Sequence, residues 1–149
     1  MQAYTIWDYS VEVDRIATAD WYKQSEGWSC TCGHCQNFLT LVRQKQLPTA
    51  VMELLSALGV LPEKPTYVCQ LYPTDQGDLY QFNYRIAGRM LNDPHPHDSI
   101  RFDWGSGCCG QDDYPYGAPD FPEPHFDLIF SAELPWVLNE SPNSSNIND

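Results

Sequence analysis

Tyr80-Gln81-Phe82-Asn83-Tyr84-Arg85-Ile86 sets an aromatic or aliphatic side chain at every second position and a polar one between. Successive side chains point to opposite faces of a strand, so this period of two predicts a half-buried β-strand. Upstream, Tyr67, Cys69 and Leu71 alternate with Val68, Gln70 and Tyr72 in the same way. The intervening Pro73-Thr74-Asp75-Gln76-Gly77-Asp78 is rich in turn formers, which predicts a hairpin. Downstream, Ile100, Phe102 and Trp104 alternate with Ser99, Arg101 and Asp103, and Phe126, Leu128, Phe130, Ala132 and Leu134 alternate with polar neighbours. At the amino end Tyr4, Ile6, Trp7, Tyr9, Val11 and Val13 keep the same period with a break near Asp8, as expected of a bulged strand or a hairpin.

Between these strand signals the period changes. Phe38, Leu39, Leu41 and Val42 fall on one face of a helix from about Gly33 to Lys45. Pro48 stands where a second helix should begin, Val51, Leu54, Leu55 and Leu58 repeat at helical intervals, and Gly59 follows as a C-terminal cap. Ala19 to Ser29 is polar with Trp21, Tyr22 and Trp28, and is expected to be a loop or a short edge strand with exposed aromatics. Gly105 to Pro124, rich in Gly, Pro and Tyr, is expected to be a long irregular loop, either functional or mobile. The predicted fold is α+β: an antiparallel sheet of about five or six strands with one pair of short helices inserted after the first hairpin. The expected organisation is a single domain over 1–140 and a disordered Ser/Asn-rich tail over 141–149.

With 149 residues, 42% of them hydrophobic, the chain has the length and composition of one globular domain rather than a disordered segment. No apolar run approaches the roughly 20 residues of a membrane helix, and Met1-Gln2-Ala3-Tyr4 lacks the basic, apolar character of an export signal, so a cytoplasmic protein is expected. Twenty acidic residues against eight basic ones give a net charge of −12, which opposes direct binding to nucleic-acid phosphates. The excess is lopsided: up to Arg101 there are 11 acids and 8 bases, whereas Phe102 to Asp149 holds 9 acids and no Lys or Arg. A surface of one sign steers partners of the other, although acidic surfaces also simply keep proteins in solution.

Six cysteines in a chain expected to stay reduced make disulfides a poor explanation. Three lie within Cys30-Thr31-Cys32-Gly33-His34-Cys35. Thiolates are soft ligands that bind zinc tetrahedrally, and one loop at a helix start is able to supply three of them. Cys108 is the expected fourth ligand, with Cys109, Cys69, His95 and His97 as alternatives. Cys32-Gly33-His34-Cys35 also has the letters of a disulfide-isomerase active site, in which the first thiolate attacks a disulfide and the second resolves it. The polar residues before it do not form the buried strand that such a site follows. A third reading is that the cysteines pack as small apolar side chains.

His95-Pro96-His97 reads as a polar turn between strands. There is no G-x-S-x-G, phosphate loop or H-E-x-x-H, and Asp112-Asp113 does not by its spacing flank a substrate. A non-catalytic role is therefore expected ahead of an enzymatic one.

The segment from Trp28 through Cys30, Cys32 and Cys35 to Asn37-Phe38, with Leu58-Gly59-Val60 and Ala132-Glu133-Leu134-Pro135-Trp136-Val137-Leu138, resembles a group of small uncharacterised bacterial proteins found mainly in Firmicutes and their mobile elements. The resemblance runs to about Glu140. It implies no activity, and because the residues between the last two cysteines vary in that group, it speaks against a disulfide-isomerase role for Gly33-His34.

The leading expectation is an acidic interaction protein. Asp103, Asp112, Asp113, Asp120 and Glu123 would steer a basic surface of another protein, and Trp104, Tyr114 and Tyr116 would supply contact energy. One version is a phage-type inhibitor occupying a nucleic-acid-binding surface. The alternative is a thiol-disulfide oxidoreductase using Cys32 and Cys35. Exposed Trp21 and Tyr22 would also suit a homodimer.

Overall fold

The computed structural model describes residues 1–111 and 117–140. It has the α+β architecture: three helices pack on one antiparallel sheet of seven strands, one or two more than the periodicity predicts. In chain order these are β1 (Gln2–Ile6), β2 (Tyr9–Val13), α1 (Arg15–Gln24), α2 (Gly33–Arg43), α3 (Thr49–Ala57), β3 (Tyr67–Thr74), β4 (Gly77–Met90), β5 (Ile100–Phe102), β6 (Gly105–Gly110) and β7 (His125–Leu134). The break near Asp8 is the tip of a β1–β2 hairpin, and Pro73–Asp78 spans the tip of the β3–β4 hairpin. Among the described residues no helix is long and apolar enough to cross a membrane.

β4 is the axis of the sheet. On one side it pairs with the whole of β7, from Asp78 opposite Leu134 to Ala87 opposite His125. On the other side β3 covers its first half and β2 only its last three residues, Gly88 to Met90. Buried peptide groups need partners, and between those two strands the partners come from α1. Tyr22 Oη donates to the Arg85 carbonyl at 2.8 Å, Thr18 Oγ1 accepts from the Ala87 N–H at 3.0 Å, and the Asp14 N–H donates to the Ala87 carbonyl at 2.8 Å. Thr18 and Tyr22 are four residues apart, hence on one helix face, and both are fully buried.

This corrects the expectation of a loop over Ala19 to Ser29 for its first six residues, which belong to α1, while Ser25 to Ser29 lies outside helix and strand. Only Thr18 and Tyr22 of α1 are buried, and one of them is polar, which leaves little hydrophobic periodicity to read. The overlooked local signal is Asp14, whose carboxylate accepts from the Ala17 N–H at 3.0 Å as an N-cap. Tyr22 is therefore in the core. Trp21 packs on Phe121 at 4.8 Å and donates its indole N–H to the Pro119 carbonyl at 3.0 Å, so neither residue offers the exposed contact that a homodimer reading relied on.

The expectation of an irregular loop from Gly105 is likewise corrected for its first six residues, which form β6 against β7. Glycine is a poor strand former, but this strand lies beneath an aromatic. A methyl group built on Gly107 would come 2.3 Å from Cη2 of Trp7, so only glycine lets that indole lie on the strand.

The core is aromatic. Phe82 of β4 stacks on Phe130 of β7 at 5.4 Å, and Phe38 of α2 covers Phe82 at 5.0 Å. Leu41, Val51, Leu55 and Leu58 of the helical pair complete this layer. On the other sheet face, Arg85 and Asp127 are cross-strand partners and form a buried ion pair at 2.9 Å.

Burial pushes the Tyr9 hydroxyl up to about 12 and those of Tyr22, Tyr80 and Tyr84 further above their usual range. An unfolded tyrosine ionises near 10. Below that pH both states keep the proton and this stability is fully present; it is lost as pH rises from about 10 through the folded values, because only the unfolded chain then gains by ionising. The expected result is a urea midpoint that falls steeply above pH 10. Four of the nine tyrosines should give no phenolate absorbance until the protein unfolds.

Candidate metal centre

Cys30, Cys32 and Cys35 come together at the amino-terminal end of α2. Their three sulfurs all lie within 4.8 Å of one another, and none of the six cysteines is in a disulfide. Cys32 is the helix N-cap residue and Cys35 lies in the first turn. Unsatisfied N–H groups and the helix dipole make that position favourable for thiolate. Burial falls from Cys35, which is 4% exposed, through Cys32 to exposed Cys30, so the cluster is anchored on the core at one end and open at the other.

Several contacts hold it there. The Trp28 indole N–H points at Cys35 Sγ at 3.1 Å, and its ring meets Tyr67 of β3 edge-on at 6.1 Å. Lys64 Nζ donates to the carbonyls of Tyr22 and Ser25, both at 2.7 Å, fixing the segment that leads into the cysteines. From β4, Tyr80 Oη donates to the His34 carbonyl at 3.1 Å. Buried Asn37 links α2 to the end of the chain: its Nδ2 donates to the Pro135 carbonyl at 3.0 Å and its Oδ1 accepts from the Val137 N–H at 2.8 Å. The His34 ring rests against Trp136 at 5.6 Å and Tyr80 at 6.3 Å. Burial raises the Cys35 thiol well above the usual thiol range, and the adjoining Cys30 and Cys32 add to the effect, while the Trp28 N–H opposes it.

Cys108, the expected fourth ligand, belongs elsewhere. It lies on β6 opposite Ile129, beside Ser99 and Asp93, and its thiol is raised chiefly by burial. Cys109 is the next residue along the same strand, so it points to the opposite face, into the core. Cys69 on β3 points its sulfur at the Gln70 carbonyl at 3.6 Å. His95 and His97 lie in an exposed turn, with His95 Nε2 on Asp8 Oδ2 at 2.9 Å. Among the described residues, the group of converging ligand atoms closes at three.

The acidic residues do not form one patch among those described. Asp103 and Trp104 make the β5–β6 turn, next to Glu133 at the far end of β7, whereas Asp120 and Glu123 precede the start of that strand. Ten residues of strand put roughly 30 Å between the two groups. Trp104 stacks flat on Phe102 at 5.0 Å and touches Phe130, so it serves packing as much as surface. Glu123 meets His125 at 3.0 Å, and Asp127 is neutralised by Arg85. Asp112, Asp113, Tyr114 and Tyr116 lie outside the described residues, as does 141–149.

Asn37 is the contact missed by sequence reasoning, since a lone polar residue on an amphipathic helix carries no signal of a partner 98 residues away. Asn37→Ala leaves the Val137 N–H and the Pro135 carbonyl without a partner. It should lower stability by about 2–3 kcal/mol, read from urea denaturation, with a red shift of Trp136 emission.

Comparison of the chain with models of protein families, with curated proteins and with solved structures finds no match, and the site stands on its geometry alone.

Proposed function

We propose that this chain is a small non-catalytic metal-thiolate protein in which Cys30, Cys32 and Cys35 bind one soft cation, with zinc as the expected occupant. The convergence of three sulfurs within 4.8 Å supports this reading. Sulfurs bound to zinc at about 2.3 Å in a tetrahedron stand about 3.8 Å apart, so drawing the sulfurs of one short segment together by about 1 Å would close the site. The fourth position falls to water or to a group from a partner, because the cluster is exposed at its Cys30 side. Ligation would tie the segment after α1 to the N-terminus of α2, a structural rather than a chemical role.

Purified, chelator-washed protein should take up one zinc per chain, and Cys30→Ser or Cys35→Ser should reduce that uptake at least tenfold by elemental analysis. A second reading, thiol-disulfide exchange, is favoured by Cys32 at the N-cap with Cys35 buried one turn behind it, but the antiparallel sheet supplies no parallel strand leading into the motif. Insulin reduction that is lost in Cys32→Ser, with no zinc bound by the parent protein, would replace the metal reading by the redox one.

The acidic surplus adds a proposal about partners: attraction of a basic protein surface, a nucleic-acid-binding one among the candidates, by the long-range field rather than by one contact patch. Such a partner captured at low ionic strength should be released as salt shortens the screening length below about 8 Å. Capture that is insensitive to salt would overturn it.

A further inference from the structure

The number of donors at the cluster also suits a second class of soft ion. Zinc takes a fourth ligand from outside the cluster, because the converging group closes at three among the described residues. No neighbour completes it among the described residues: the His34 ring, packed against Trp136 and Tyr80, brings no nitrogen into the converging group, and Cys69 points at the Gln70 carbonyl. The three sulfurs come from six consecutive residues, so they approach an ion from one side and leave the other uncovered. A trivalent metalloid with a stereochemically active lone pair is complete with three sulfurs in a pyramid, and the lone pair occupies the uncovered side.

Charge points the same way. Three thiolates around a divalent ion leave one net negative charge, beside a helix start that is half buried, in a chain already at −12. Three thiolates around a trivalent ion leave none, and a neutral centre bears partial burial without a counter-ion. The condensation also balances without any redox partner. Arsenous acid, As(OH)3, exchanges its three hydroxyls for the three cysteine sulfurs; each thiol proton leaves with a hydroxyl as water, so three As–S bonds form, three As–O and three S–H bonds break, and arsenic stays trivalent.

We propose that Cys30, Cys32 and Cys35 form a three-coordinate capture site for trivalent arsenic or antimony presented as the neutral hydroxo acid. The inference rests on the soft-ion reading of this cluster and adds the class of ion and its coordination number. The Cys108–Cys109 pair makes no rival chelate, because its two side chains leave opposite faces of β6.

The test is titration of the whole, tris(carboxyethyl)phosphine-reduced protein with arsenite, read by native mass spectrometry, by counting reactive thiols and by Trp28 emission, since that indole sits 3.1 Å from Cys35 Sγ. One arsenic per chain should bind with loss of three hydrogens, the accessible thiols of Cys30 and Cys32 should become unreactive, and Trp28 should be quenched. Exposed Cys30→Ser, chosen because it leaves the core intact, should weaken arsenite binding at least tenfold. The same variant should still bind phenylarsine oxide, which needs only two sulfurs. Cys69→Ser and Cys108→Ser should leave both unchanged. Loss of only two hydrogens on binding, binding indifferent to Cys30→Ser, or protection lost in Cys108→Ser would overturn the proposal. A parallel zinc titration separates the two claims. Zinc uptake without arsenite binding removes this inference and leaves the metal centre; arsenite binding without zinc removes zinc as the occupant; failure of both removes the site.

Discussion

The backbone of β4 between Asn83 and Gly88 is the constraint on which the rest of the structure depends. This stretch is interior to the sheet, flanked by β7 along its whole length but by no strand on its other side. Peptide groups left there without partners would each cost on the order of 1–3 kcal/mol. Thr18, Tyr22 and the N–H of Asp14 satisfy the Arg85 carbonyl and both Ala87 groups, and doing so draws α1 into the notch between β3 and β2. Once α1 is held there, Lys64 caps its last carbonyls and directs the following segment toward α2. The cysteine cluster is thus placed by a chain of hydrogen bonds that begins at a gap in the sheet.

The second determinant is the aromatic face of β4 and β7. Tyr80, Phe82 and Phe130 form a continuous surface on which Phe38 fixes the axial position of α2. Tyr80 serves two purposes, since its ring belongs to that surface while its hydroxyl holds the His34 carbonyl inside the Cys32–Cys35 turn. Asn37 then clamps the carboxyl-terminal segment onto the same helix end. A polar network of this kind at one helix terminus preorganises the positions of Cys32 and Cys35 and leaves Cys30 on the exposed approach, the arrangement wanted in a site that must admit an ion from solvent.

The elements read well from sequence are those whose burial is regular. Tyr80 to Ile86 and Phe126 to Leu134 alternate because one face of each meets the helices, and Val51, Leu55 and Leu58 repeat because α3 presents one stripe to the core. The elements that escaped have another basis. α1 buries only Thr18 and Tyr22 and is held by hydrogen bonds more than by an apolar stripe, and β6 carries glycine at 107 because Trp7 lies across it. In both cases the decisive partner is distant in the chain, and for β6 local propensity pointed the other way.

Unaided, the sequence determined the α+β class, the helical pair, the β3–β4 hairpin and the grouping of Cys30, Cys32 and Cys35, because each follows from spacings of a few residues along a backbone of known geometry. Only the tertiary structure decided that Cys108 stands apart on β6, that Trp21 and Tyr22 are packed, and that the described carboxylates divide between two ends of β7. The reason is physical: spacing governs which side chains share a face of one element, whereas meetings between elements depend on sheet order and register, which arise from the burial and hydrogen-bond requirements of the whole chain together.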